Sequence, residues 1–210
     1  MTNRPMTLPS PPLLVISNRA QARRPIVEVA AAAFKGGCRW FSLREKDLPA
    51  AERRALLGEL VALGHRWGAT VTVHDDIEAA LAAGADGVHL PGGGDPAPAR
   101  RRLPNGLIGA SVHAAAEVAA LLGAGADYVT IGPIFLSDSK PGYGPALGLD
   151  GLRAATAGAG APVIALAGIT PANAAACLAA GAAGVAVMGE VMRATDPEAV
   201  TRALVAALDR

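Results

Sequence analysis

The sequence lacks several features that would each announce a function. Cysteine is scarce, and the two residues present, Cys38 and Cys177, have no metal-ligand spacing; both sit in alanine-rich surroundings that suit reduced, buried thiols. Charge of one sign is not in excess, with 19 Lys and Arg against 18 Asp and Glu, so no global field steers the chain to nucleic acid or an anionic membrane. No apolar run reaches membrane-spanning length, and the segment from Met1 to Pro12 carries proline and polar residues without an apolar export core. A cytoplasmic protein with no nucleic-acid or membrane partner is expected. Ile16-Ser17-Asn18-Arg19 stands where a dinucleotide fold would place G-x-G-x-x-G after its first strand, which removes the main support for that fold.

What is present is a repeated phrase. Gly84-Ala85-Asp86-Gly87-Val88-His89-Leu90 recurs as Gly125-Ala126-Asp127-Tyr128-Val129-Thr130-Ile131 and as Gly181-Ala182-Ala183-Gly184-Val185-Ala186-Val187. Each copy follows an Ala/Leu-rich helical segment and runs into an aliphatic strand, marking a helix stop, a turn and a strand start. Eight strands are expected, at Leu13-Ser17, Arg39-Arg44, Thr70-His74, Gly87-Pro91, Leu107-Val112, Tyr128-Pro133, Pro162-Ala167 and Gly184-Gly189. Helices are expected between them, including Ala50-Trp67, Ile77-Ala83, Ala114-Leu122, Pro171-Ala179 and Pro197-Leu208. Alternating strands and helices demand parallel pairing through right-handed crossovers, and eight units without an evident edge favour closure. The fold class is therefore α/β, a (β/α)8 TIM barrel over residues 13–210, preceded by a disordered tail over 1–12.

Strand parity divides the residues further. Ser42, Arg44, Thr72, His74, His89, Ser111, His113 and Thr130 share one phase, and Leu43, Val71, Val73, Val88, Leu90, Val112, Val129 and Ile131 share the other. The aliphatic phase should meet the helices, and the polar phase should line the interior and its C-terminal mouth, where barrel active sites form. Within that set, Thr72 and His89 read as satisfied core polar groups.

Five strand-end features carry chemistry. Ser42-Leu43-Arg44-Glu45-Lys46-Asp47 brings two cations, with a carboxylate between them, to a strand exit, which suits a phosphate or diphosphate. His74-Asp75-Asp76 offers a carboxylate pair for Mg²⁺, with the alternative that Asp76 caps the following helix. Ser111-Val112-His113 places at the mouth an imidazole whose ordinary pKa suits general acid/base work. The long segment after the sixth strand, containing Ser137, Ser139 and Lys140, reads as a cover over an anionic ligand. Gly168 and Gly189 fall after strands seven and eight, where barrels commonly hold phosphate on backbone groups.

Taken in order, Leu43-Arg44-Glu45-Lys46, the Asp75 position, Gly87-Val88-His89-Leu90, Gly109-Ala110-Ser111-Val112-His113, Asp127 to Phe135, Ser139-Lys140, Pro162-Val163-Ile164-Ala165 and Gly184-Val185-Ala186-Val187 resemble the motifs of the thiamine phosphate synthase and TenI family. The resemblance runs from about Leu13 to the C-terminus. It implies a barrel acting in thiamin biosynthesis on a thiazole phosphate, with Arg44, Lys46 and Lys140 on the diphosphate of an aminopyrimidine substrate and Asp75 at a Mg²⁺ site.

The sequence departs from the synthase pattern at three places. His74 replaces an Asn, Ser42 replaces a Gln, and Pro91-Gly92-Gly93-Gly94 stands where the family has Gly-Gln-x-Asp, leaving Asp95 one position late. The second metal carboxylate is thus missing. The preferred expectation is a thiazole tautomerase that needs no cofactor, with His113 as the acid/base, Arg44, Lys46, Ser111, Ser137, Ser139 and Lys140 binding substrate, and phosphate held at Gly168 and Gly189. The alternatives are a Mg²⁺-dependent thiamine phosphate synthase, in which Asp75 is a metal ligand, and a regulatory protein that binds thiazole or thiamin phosphates without turnover. A homo-oligomer is compatible with each.

Overall fold

The computed structural model describes residues 7–137 and 144–209. Eight strands form a closed parallel barrel in sequence order: β1 (Leu13–Ile16), β2 (Trp40–Leu43), β3 (Thr70–His74), β4 (Gly87–Leu90), β5 (Leu107–Val112), β6 (Tyr128–Ile131), β7 (Val163–Leu166) and β8 (Gly184–Val187). The helices are α1 (Ile26–Lys35), α2 (Ala50–Arg66), α3 (Ile77–Ala83), α4 (Pro96–Arg102), α5 (Val118–Gly123), α6 (Gly148–Thr156), α7 (Ala174–Ala179), α8 (Gly189–Met192) and α9 (Pro197–Leu208). This is the (β/α)8 barrel that alternation predicts. Among the described residues, no helix is long and apolar enough to cross a membrane.

Most expected strands overran by a residue or two at the C-terminal end, because ladder pairing stops where the loops leave the barrel. The expected helix Ala114-Leu122 is instead a 3-10 turn, Ala115–Glu117, followed by α5. The Glu117 carboxylate turns back there to accept the His113 and Ala114 backbone N–H groups at 2.8 and 3.0 Å. Helix α7 starts at Ala174 rather than Pro171, because Asn173 accepts from Thr170 N at 2.8 Å and donates to Gly168 O at 2.9 Å.

The repeated phrase has a structural cause. Gly84, Gly125 and Gly181 lie at φ of 65°, 109° and 95°, the left-handed region that ends a helix cheaply only with glycine. Two residues on, the backbone N–H of Asp86, Asp127 and Ala183 donates to the carbonyl of Val71, Ile108 and Val163 on the preceding strand, at 2.7 to 2.8 Å. In the first two copies the carboxylate also accepts the N–H of that same residue, at 2.7 Å in each. Asp86 and Asp127 therefore brace adjoining strands at the N-terminal end, and Ala183 leaves the third copy with the backbone contact alone.

Parity sorts the core as expected. Leu13, Val15, Phe41, Leu43, Val71, Val73, Val88, Ile108, Val129, Val163 and Val185 pack outward under the helices. Leu14, Ile16, Trp40, Leu107, Tyr128, Ile164 and Ala186 fill the interior as a separate cluster. Trp40 and Tyr128 meet edge to face at 4.7 Å and form the floor. Residues 7–12, assigned to a tail from sequence, lie against this floor: Leu8 packs on it and Pro12 O accepts from Val185 N at 3.0 Å.

Candidate active site

Above the aromatic floor the same inward phase turns polar, and the strand exits enclose a cavity of about 410 Å³. Arg44, Lys46, Asp75, Ser111, His113, Ser137, Gly168 and Gly189 all line it. Every site residue proposed from sequence and described in the structure is thus in one place. Ser139 and Lys140 lie outside the described residues.

At the exit of β2, Arg44 and the exposed Lys46 face the cavity, whereas Glu45 does not. The Glu45 carboxylate is buried, accepting from Ser17 Oγ at 2.6 Å and from Arg19 N at 3.0 and 3.1 Å. Ser17 Oγ in turn accepts Arg44 N at 2.8 Å. The carboxylate expected between the cations is therefore a strut joining the first two loops, and the cations keep their charge for a ligand.

Asp75 follows β3 with φ of 55°, a left-handed turn that a short polar side chain tolerates, and its N–H donates to His89 O at 2.9 Å. This turn brings its carboxylate to the mouth. Asp76 points away, accepting from Ala79 N at 2.8 Å as the cap of α3 and pairing with Arg53 at 2.6 Å. Asp95 is equally committed: it caps α4 through Ala97 N at 2.9 Å and does not line the cavity. Among the described residues no group of three His, Cys, Asp or Glu could hold a metal ion. One carboxylate at the mouth still fits Mg²⁺ carried on a substrate diphosphate, since that ion takes one or two protein carboxylates and completes its shell with phosphate oxygen and water.

His113 Nδ1 lies 2.9 Å from Gly132 O. A carbonyl only accepts, so Nδ1 carries the hydrogen, and Nε2 is the basic nitrogen of the neutral ring. A Cβ on Gly92 would stand 3.3 Å from that Nε2, so the glycine-rich β4–α4 loop gives the imidazole its room.

Deeper in, His89 is buried with both nitrogens engaged, Nδ1 with Tyr128 Oη at 3.0 Å and Nε2 with Ser111 Oγ at 2.9 Å. Burial, then the Arg44 charge, pushes its pKa down to about 3. The His74 ring is tilted against it at 4.6 Å, and its Nε2 is sealed with no hydrogen-bond partner among the described residues. Burial and then the His89, Arg44 and Lys46 charges hold His74 well below the usual imidazole range. Thr72 donates to Ser42 at 2.8 Å away from the cavity, the core polar role expected of it. His89 combines that satisfied state with a place in the cavity wall.

Sequence reasoning missed Thr170, Glu190 and Arg193, which also line the cavity. Arg193 donates to Gln21 Oε1, and its N–H reaches Gly189 O at 3.0 Å. A cation one helical turn beyond the expected phosphate glycine was the available signal.

Residues 13–191 match a family model described as thiamine monophosphate synthase. The chain belongs to that family. Within it, the chain is 45% identical over 199 residues to a protein of Geobacter sulfurreducens, covering 93% of each. It is 39% identical over 193 residues to the thiamine-phosphate synthase of Roseiflexus sp. (strain RS-1), covering 91% of this chain and 82% of that one. Among solved structures, thiamine phosphate pyrophosphorylase from Pyrococcus furiosus superposes with a TM-score of 0.85 at 34% identity, covering 94% and 95% of the two chains.

Proposed function

We propose that this family member is a thiamine-phosphate synthase of thiamin biosynthesis, joining an aminopyrimidine methyl diphosphate to a thiazole phosphate with release of diphosphate. The observation that carries the reading is the placement of Arg44, Lys46 and Asp75, at the exits of β2 and β3, on a cavity whose wall also carries His74 and His89, held uncharged by burial, with Ser111 and Thr130. The names of the relatives support this reading better than the tautomerase favoured by the sequence.

In the proposed reaction the methylene carbon–oxygen bond breaks first, and its electron pair leaves with the diphosphate. Arg44 and Lys46 take up the developing negative charge, with Lys140 assigned to the same task by resemblance. Asp75 would hold Mg²⁺ on the diphosphate, where the ion supplies further charge neutralisation. The cationic pyrimidine left behind sits against His74, His89, Ser111 and Thr130, polar groups without net charge. The thiazole nitrogen then donates its lone pair to the methylene carbon. The loops at Gly168 and Gly189, with Arg193 beside them, hold the thiazole's phosphate.

A second reading, thiazole tautomerase, is favoured by one observation: Asp95 is spent as a helix cap, so the carboxylate that the synthase pattern places after β4 does not reach the cavity. In that chemistry His113 Nε2 removes a ring proton and returns it elsewhere, with no metal. Purified protein given thiazole phosphate, aminopyrimidine diphosphate and Mg²⁺ should form thiamin phosphate catalytically. No product there, with turnover of a thiazole phosphate carboxylate tautomer in a parallel mixture, sinks the synthase reading and leaves the tautomerase. Binding of thiazole phosphate without turnover in either mixture supports the regulatory alternative.

A further inference from the structure

A buried hydrogen-bond chain beneath the cavity has a direction that donor and acceptor counting fixes. Tyr128 Oη is fully buried, and among the described residues its partner is His89 Nδ1, at 3.0 Å. Its hydroxyl hydrogen needs an acceptor there, because a buried donor left unpaired costs about 1–3 kcal/mol. The Nδ1 lone pair meets that need, so His89 carries its hydrogen on Nε2. Protonating both nitrogens would orphan the tyrosine hydrogen and bury a cation near Arg44. Nε2–H then donates to Ser111 Oγ at 2.9 Å, with Thr130 Oγ1 as a second, longer acceptor at 3.4 Å, and Thr130 Oγ1 donates its own hydrogen to Ser111 Oγ at 3.3 Å. Both lone pairs of Ser111 are thereby filled. Its own hydrogen is left for the cavity, whose wall it forms.

We infer that Tyr128 and His89 are positioning residues that fix Ser111 as an obligatory hydrogen-bond donor, so that the substrate must present an acceptor, a ring-nitrogen lone pair or a phosphoryl oxygen, at that point. An analogue that places an N–H there meets a serine with no lone pair to offer and is rejected. The naming of those acceptors rests on the proposed reaction; the direction of the chain does not.

Two measurements test it. Nitrogen-15 spectra of the intact, ligand-free chain should show His89 as the Nε2–H tautomer. Its signals are assigned by their loss in His89→Gln or, should that variant not fold, by elimination through single replacements of His65, His74 and His113. A Nδ1–H tautomer overturns the inference whatever the enzyme's reaction proves to be. The second is a double-mutant cycle. Tyr128→Phe should lower kcat about tenfold, the worth of one neutral hydrogen bond, in the wild-type background, and should have almost no further effect in Ser111→Ala. Losses that simply add would show that Tyr128 acts on packing alone and overturn the positioning role. The tautomer is read without substrate, so failure of the synthase reading and failure of this inference are separately visible.

Discussion

The two ends of the barrel interior are built from the same strands and the same inward phase, yet obey opposite rules. At the floor, Trp40, Tyr128, Leu14, Leu107 and Ile164 close the bore, and Asp86 and Asp127 use their carboxylates on strand backbone. Gly109 is part of that closure, since a Cβ there would stand 2.1 Å from the Tyr128 ring. At the mouth, Arg44, Lys46 and Asp75 face a cavity instead of one another. Packing and backbone contacts take up the side chains at one end, with the buried Trp40 Nε1 left without a hydrogen-bond partner among the described residues, and spare the charged groups at the other. Stability and chemistry are thereby assigned to different layers of one sheet, and damage to either should leave the other standing.

The largest effect should come from the floor. Trp40→Ala removes a fully buried indole, and unfolding should become about 3–5 kcal/mol easier, measured by denaturant titration. The folded fraction should keep its turnover; a loss of activity per folded molecule would show that floor and mouth are coupled. Next is Arg44→Ala, which should cut kcat/KM in the condensation assay about 100-fold with the melting temperature nearly unchanged. A melting temperature that falls with activity would make Arg44 a structural residue and erase the division. Asp127→Ala comes third. It strips the Ile108 N–H of its side-chain acceptor and Arg100 of a partner at 2.6 Å, and should cost about 2 kcal/mol without altering kcat. An unchanged unfolding curve would reduce that brace to an incidental contact.

How far the sequence reached follows the same division. A strand's two-residue period is rigid, so parity alone put Ser42, Arg44, Thr72, His74, His89, Ser111 and Thr130 inside and their aliphatic neighbours outside. The phrase beginning at Gly84 was legible as a helix stop because left-handed backbone demands glycine. Loop side chains obey no such period. Glu45 reads as a counter-charge beside Arg44, but a 2.6 Å bond to Ser17, 28 residues away in the chain, turns it inward. Asp95 stands one place from the expected ligand position, and its choice of Ala97 N over the cavity is a matter of local capping. Arg193 was passed over because its value comes from Gln21 on the opposite end of the chain, a contact that closure of β8 on β1 creates. The direction of the Tyr128, His89 and Ser111 bonds required all three atoms in place.

The smallest expected effect sharpens the comparison at the mouth, where one loop is held by an exposed carboxylate. The N–H groups of His113 and then Ala114 hold the Glu117 carboxyl below the ordinary carboxylate range. A depressed folded-state pKa contributes stability that is fully present above the unfolded value of about 4.3 and is lost as pH falls through the folded one. Acid should therefore loosen the His113 loop below about pH 4, while floor residues with no carboxylate stay put. Glu117→Gln should melt slightly earlier than wild type at pH 7 and show a flatter fall in stability below pH 4. Parallel acid-unfolding curves for the two proteins would mean that the Glu117 carboxylate contributes nothing to holding the His113 loop.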